Sequence, residues 1–209
     1  NSEEIEFAQV IHSSGNSLLG LIDEILDLSK IEAGKMELEF TDVTTKDITD
    51  GLSSLFKHLA KEKNIGFEII TNQAPFILKT DKMRLEQILK NLISNAIKFT
   101  TKGTVSLEIA IDTDDDQIIC FIVKDTGIGI PLDKQPLVFE AFQQADGSTK
   151  RKYGGTGLGL SISRELAKLL SGEILLNSVE GEGSTFTLCL PRFVSEGSKG
   201  VIEKTPVVN

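Results

Sequence analysis

Hydrophobic positions recur at helical spacing from residue 3 to residue 33, where Ile5, Phe7, Ala8, Val10, Ile11, Leu18, Leu19, Leu21, Ile22, Ile25, Leu26 and Leu28 make one broad stripe. The stripe is wider than a single neighbour covers, so it predicts one long helix that belongs to a bundle and ends near Ala33 and Gly34. Residues 36–43 alternate in strand fashion. Residues 45–62 read as an amphipathic helix with Ile48, Leu52, Leu55, Phe56 and Leu59 inward and Asp47 in its first turn, where negative charge is favoured. Short strands at 67–70 and 76–78 flank a turn at 72–75. A helix over 82–99 buries Leu85, Ile88, Leu89, Leu92, Ile93 and Ile97, and strands at 105–111 and 118–123 are split by the acidic turn DTDDD. Residues 131–156 have no long apolar period and much Gln, Lys and Gly, which predicts a mobile lid. A helix at 158–171 stops at Gly172, a glycine C-cap, and a hairpin of 173–179 and 184–190 closes the sheet. This order predicts an α+β fold: a two-layer sandwich with helices on one face of a mixed, mostly antiparallel sheet, preceded by the long helix. A bare second sheet face is not expected.

Four polar motifs interrupt the pattern. Asn91 and Asn95 stand one turn apart on helix 82–99, so two amides converge while the apolar face stays buried. Asn is a poor mid-helix residue, although the pair alone reads as readily as a solvated helix face. Asp125 ends an apolar run and opens DTGIGI, residues 125–130. A carboxylate there accepts from an exocyclic amine and so tells adenine from guanine, while Gly127 and Gly129 let a base approach the backbone. In YGGTGLGL, residues 153–160, the run Gly155, Thr156, Gly157, Leu158 and Gly159 leads into a helix whose N-terminal N–H groups and positive dipole end suit phosphates. The last motif is GEGSTF at 181–186. Asn95 is the candidate Mg²⁺ ligand, because a neutral carbonyl oxygen suits a hard ion that also takes phosphate and water oxygens. The chain has no G-x-x-x-x-G-K-[ST] loop and none of the eukaryotic protein kinase signatures, which excludes those phosphate sites.

In these motifs and their order the chain resembles the catalytic, ATP-binding domain of sensor histidine kinases, of the GHKL (Bergerat-fold) superfamily, over roughly residues 30–193. The resemblance implies ATP and Mg²⁺ as ligands. It also implies binding roles for Lys98 at phosphate, Phe99 beside adenine and Thr185 in the last motif; Phe99 reads equally well as core. Lys150 or Arg151 of the lid would reach the γ-phosphate, and the sequence does not choose between them, although arginine is the better bidentate clamp. Phe139 and Phe142 look like the lid's anchor. The implied layout is the second helix of a dimerisation and phosphotransfer hairpin at 1–34, its first helix missing, then the catalytic domain at 35–193 and a flexible tail or linker at 194–209. In gyrase-type and mismatch-repair ATPases of the superfamily a Glu occupies the position of Asn91 and activates water; an amide removes that general base. The γ-phosphate is therefore expected to pass to a histidine of the missing helix, on the same protein or its dimer mate, and then to the receiver domain of a response regulator. Asn91, Lys150 and Arg151 form the expected catalytic set. The implied full-length protein is a homodimer with room for an inner-membrane anchor. The alternatives are a non-catalytic nucleotide-sensing or dimerisation module and a superfamily hydrolase; the intact motifs and Asn91 disfavour them.

A chain of 209 residues with 40% hydrophobic content buries one domain and an appendage. A formal charge of −9 argues against nucleic acid as partner and makes a polyphosphate site depend on local cations, for which Lys98, Lys150, Arg151 and Lys152 are placed. Cys120 and Cys189 lie in apolar runs without a C-x-x-C partner or a nearby His, and read as buried free thiols. His12, in VIHSSGNSLL, lacks the acidic neighbour and following proline of a phosphoacceptor and reads as helix surface, as does His58. No apolar run reaches membrane length and no signal peptide is present, so a cytoplasmic domain is expected.

Overall fold

The structure is a computed structural model, and it describes residues 2–71, 76–142 and 156–193. Helix α1 (Ser2–Glu32) stops just before Gly34, whose φ of +63° is a conformation that suits a residue without a Cβ. Leu21, Leu28 and Ile31 pack against the core, whereas Ile5, Phe7, Val10, Ile11, Leu18 and Leu19 stay exposed. The broad stripe is thus only partly covered. The alternation at 36–43 yields a shorter strand than expected, β1 (Thr41–Thr44), because the preceding segment is tied to the body instead: the Glu39 N–H donates to Asp81 Oδ2 at 3.0 Å. Strand β1 pairs antiparallel with β3 (Ile77–Thr80) as a separate ribbon.

Helix α2 (Thr45–Glu62) begins at a capping box, in which the Asp47 N–H donates to Thr44 Oγ1 and the Asp47 carboxylate accepts from the Thr44 N–H. Helix α3 (Lys82–Phe99) begins on buried Asp81, whose Oδ1 accepts from the Arg84 N–H at 3.0 Å. At its other end the Lys63 ammonium donates to the carbonyls of Ile97 and Lys98 at 2.8 and 3.1 Å, a cation on the negative pole of the helix. Helix α4 (Gly159–Leu169) is the last helix among the described residues.

The main sheet comprises β2 (Gly66–Thr71), β4 (Thr104–Ile111), β5 (Ile118–Asp125), β6 (Glu173–Val179) and β7 (Gly183–Pro191), in the order β2-β4-β5-β7-β6. Only the β2–β4 pair is parallel. Val105, Leu107, Ile109, Phe121, Val123 and Leu188 point to one face and bury there against Ile48, Leu52, Leu89, Ile93 and Leu166 of the helices. The α+β two-layer architecture is the expected one.

Two expectations fail. Among the described residues the opposite sheet face has no second layer: its strand positions include Ser106, Glu108, Lys124, Thr185, Thr187 and Asn177, partly or fully exposed and too polar to require one. Cys120 and Cys189 are not free thiols but form a disulfide. They are 69 residues apart in sequence yet directly opposed in the β5–β7 register, so tertiary pairing and not local spacing makes them partners.

Candidate nucleotide site

Strand β5 delivers Asp125 at its end, only 6% exposed and paired in register with Val105 on one side and Ser184 on the other. Its Oδ1 accepts from the Gly127 N–H at 2.8 Å. Burial pushes the Asp125 carboxyl up from its ordinary 3.8, against the opposing effect of the Gly127 and Ser184 backbone N–H groups. The glycines that follow are demanded by the protein's own backbone. A Cβ on Gly127 would lie 2.6 Å from the Phe99 carbonyl oxygen, and one on Gly129, at φ +64°, would lie 2.0 Å from that of Val179. The turn is locked to the β6–β7 hairpin by the Gly181 N–H donating to the Ile128 carbonyl (2.8 Å) and the Ile130 N–H donating to Ser178 Oγ (2.8 Å). A cleft of about 400 Å³ opens beside it, lined in part by Phe99, Lys102, Gly127, Ile128 and Gly181.

The second half of the site lies where α3 meets α4. Asn91 Nδ2 donates to Ser163 Oγ at 2.9 Å, and Asn95 Nδ2 donates to Asn91 Oδ1 at 3.3 Å. Gly159 is the first residue of α4 and faces Asn91: a Cβ there would come within 2.4 Å of Asn91 Oδ1. Among the described residues no side chain caps α4, and its first N–H groups point to where a ligand could take them. Just before it, Thr156 Oγ1 donates to Glu24 Oε2 of α1 at 2.6 Å and accepts from the Leu158 N–H at 3.2 Å. Lys98, at the end of α3, sits with Nζ 5.0 Å from the Phe99 ring centroid, and desolvation lowers its pKa from the ordinary 10.5.

A carboxylate at a strand end, an amide pair on a helix and an uncapped helix N-terminus therefore converge from three elements. The family model described as "histidine kinase-, DNA gyrase B-, and HSP90-like ATPase" matches residues 80–193, the segment that holds them all. The chain belongs to this family. Among curated relatives, the autoinducer 2 sensor kinase/phosphatase LuxQ of Vibrio vulnificus is 40% identical over 196 residues, which cover 91% of this chain and 23% of LuxQ. The circadian input-output histidine kinase CikA of Synechococcus elongatus is 42% identical over 189 residues, covering 89% and 25%. Among solved structures, full-length ShkA in complex with AMPPNP matches with a TM-score of 0.80 at 29% identity, over 91% of this chain and 39% of ShkA. The chain thus carries an ATPase domain of this family, is similar along most of its length to the matching stretch of sensor histidine kinases, and spans about a quarter of the length of these curated relatives.

The structure brings Asn91, Asn95, Thr156 and Gly159 together at one end and sets Asp125, Gly127, Gly129 and Phe99 at the other. Leu158 contributes its backbone only, since its side chain is fully buried. Thr185 does not join Asp125. Strand alternation turns it to the open sheet face, paired with Lys124, and puts Ser184 opposite Asp125. The phase of Phe186, Leu188 and Leu190 already carries that signal. Phe139 anchors its segment, packing edge-on against Phe186 at 6.2 Å, but Phe142 is 66% exposed and holds on through its N–H, which donates to the Gly157 carbonyl. Lys150, Arg151, Lys152 and Gly155 lie outside the described residues. Sequence reasoning missed Glu24 and Ser163. Glu24 is one charge among many on α1, and Ser163 is an ordinary small residue of an amphipathic helix.

Among the described residues no three His, Cys, Asp or Glu side chains form a metal cage. One oxygen does suit a hard cation: with Asn95 Nδ2 committed to Asn91, Asn95 Oδ1 accepts no hydrogen bond among the described residues. A divalent ion would fit here as the partner of a bound polyphosphate. No described helix is long and apolar enough to cross a membrane.

Proposed function

We propose that this domain binds ATP with Mg²⁺ and donates the γ-phosphoryl group to a histidine imidazole on a separate helix, for onward transfer to a response-regulator aspartate. Asp125 accepts from the adenine amine, the N–H groups opening α4 face the phosphates, and Asn95 Oδ1 holds the ion, which neutralises phosphate charge. The bond between the β,γ-bridging oxygen and the γ-phosphorus breaks, an N–P bond forms, and ADP leaves. The chain's own part is positioning: α3 and α4 hold the phosphates, and Lys98 adds positive charge beside them. Lys150 or Arg151 supplies the γ-phosphate contact. Residues 1–34 form the second hairpin helix and 35–193 the catalytic domain; the exposed apolar residues of α1 support packing against a first helix and a second copy of the chain.

The observation that carries this reading is Asn91. Its amide stands where hydrolases of the superfamily use a carboxylate, and both of its polar atoms are engaged in hydrogen bonds to Ser163 and Asn95. It has no means of deprotonating water, so the phosphoryl group is kept for another acceptor. The kinase names of LuxQ and CikA and the AMPPNP bound to ShkA support the same conclusion.

Calorimetric titration with ATP or a non-hydrolysable analogue, with and without Mg²⁺, tests it. Wild type binds, and Asp125→Ala weakens binding by about a hundredfold or more, as loss of a buried charged acceptor does. A folded wild type that gives no heat of binding would overturn the assignment.

A further inference from the structure

The α3–α4 contact holds two amides in one polarity, and an amide does not choose its polarity unaided. Asn91 has a donor and an acceptor of nearly the same size, and its flipped form would present NH₂ towards Asn95. Asn95 would then have to offer its own oxygen to Asn91 and turn its NH₂ outward, where a cation would be repelled.

Two positions of α4, one turn apart, decide between these states. Gly159 opens the helix, so the positive end of its dipole lies at that point, and Asn91 Oδ1 lies nearer to it than Nδ2 does: a Cβ on Gly159 would be 2.4 Å from Oδ1 and 3.2 Å from Nδ2. Ser163, 2% exposed, accepts from Asn91 Nδ2 at 2.9 Å. The helix end draws the oxygen, and the Ser163 hydroxyl, able to donate or accept, accepts from the nitrogen left facing it and pins the amide in that polarity. Asn91 Oδ1 then accepts from Asn95 Nδ2, and Asn95 Oδ1 is the atom left to face a ligand.

We infer that Ser163 is a positioning residue for metal-linked nucleotide binding: through Asn91 it orients Asn95 so that the latter offers oxygen to the divalent ion. The inference rests on the reading of Asn95 as metal ligand. It separates from mere packing because it concerns the metal-dependent part of affinity alone.

The test is titration of wild type, Ser163→Ala, Ser163→Thr and Ser163→Cys with a non-hydrolysable ATP analogue, once in Mg²⁺ and once in a chelator. The measured quantity is the ratio of the two affinities. Ser163→Ala is expected to lower that ratio about tenfold while chelator affinity stays within about twofold, and Ser163→Thr, which keeps the hydroxyl, restores it. The side-chain amide ¹⁵N signals of Asn91 and Asn95, recorded without nucleotide, shift in Ser163→Ala and not in Ser163→Thr. Should Ser163→Ala lose its thermal transition, Ser163→Cys keeps the volume with a weaker acceptor and is expected to lower the ratio severalfold. An unchanged ratio in Ser163→Ala, or in Ser163→Cys where the alanine variant does not fold, or an equal loss with and without metal, overturns the inference while leaving the ATP assignment intact. A wild type that binds no nucleotide overturns that assignment, and the inference with it.

Discussion

At the Asp125 end of the site nearly every position is fixed by backbone: strand register sets Asp125 against Ser184, and two glycines bring the turn onto the carbonyls of Phe99 and Val179. At the Asn91–Asn95 end the backbone supplies helices, and side chains do the placing, through hydrogen bonds that link α3, α4 and α1. The first arrangement is rigid and intolerant of added atoms. The second depends on a few hydroxyls and amides whose partners sit on other elements, so it is open to adjustment by whatever moves those elements.

Alanine at a glycine of each end separates the two cases most sharply. In Gly129→Ala the new Cβ meets backbone at a positive φ and nothing can give way, so a loss of about 3 kcal/mol of stability is expected, together with nucleotide binding. In Gly159→Ala the nearest atoms that the Cβ meets belong to the Asn91 side chain and not to backbone, and alanine favours the helix. The expected outcome is a melting temperature within about 2 °C of wild type with Mg²⁺-linked nucleotide affinity down about tenfold. Thermal denaturation beside calorimetry reads both. Equal stability losses in the two variants would erase the distinction.

Glu24 gives the next effect, smaller because it acts across elements. A threonine hydroxyl has one hydrogen to donate, and that of Thr156 goes to Glu24. A polyphosphate held by the same loop would meet both that competition and a negative charge. Glu24→Ala is expected to tighten ATP binding about fivefold at low salt, and the gain should shrink at high ionic strength where the charge is screened. A gain independent of salt would assign the effect to the freed hydroxyl alone, and weaker binding would show that α1 supports the loop.

What could be read from the sequence follows the same division. Periodicity locates the four α-helices among the described residues and the sheet, and an i, i+4 asparagine pair or an aspartate ending an apolar run is visible locally. The sequence alone does not separate the two adjacent hydroxyl residues of GEGSTF, and only the β5–β7 register sets Ser184 rather than Thr185 opposite Asp125. The Cys120–Cys189 pair is hidden for the same reason: it exists only once those strands are aligned. Ser163 and Glu24 could not be found by spacing, since their roles arise where α4 and α1 pack on other parts of the chain. The open sheet face is legible in principle from the polar phase of β4 and β7, whereas the strongly apolar run of β5 hides it.

The smallest effect tests the backbone-built end by its electrostatics. Folding buries Asp125 and raises its pKa above the ordinary 3.8, so from that pH upward, through the folded-state value, the native state holds a proton that the unfolded chain has lost. Stability therefore falls as pH rises through this window, and the full penalty of the buried carboxylate is present at neutral pH. Asp125→Asn keeps an oxygen for the Gly127 N–H and removes the charge. It is expected to melt on the order of 2 °C higher than wild type at pH 7, with the difference vanishing below about pH 3.8, where both side chains are neutral. Binding should change in the opposite direction. Adenine recognition needs the carboxylate, so wild-type affinity should fade on acidification at a pH above that of an ordinary aspartate, while the variant binds poorly throughout. If Asp125→Asn melted lower at pH 7, the carboxylate would be stabilising the turn through Gly127 and Ser184 by more than its burial opposes folding, and this end would rely on side-chain bonds as heavily as the other.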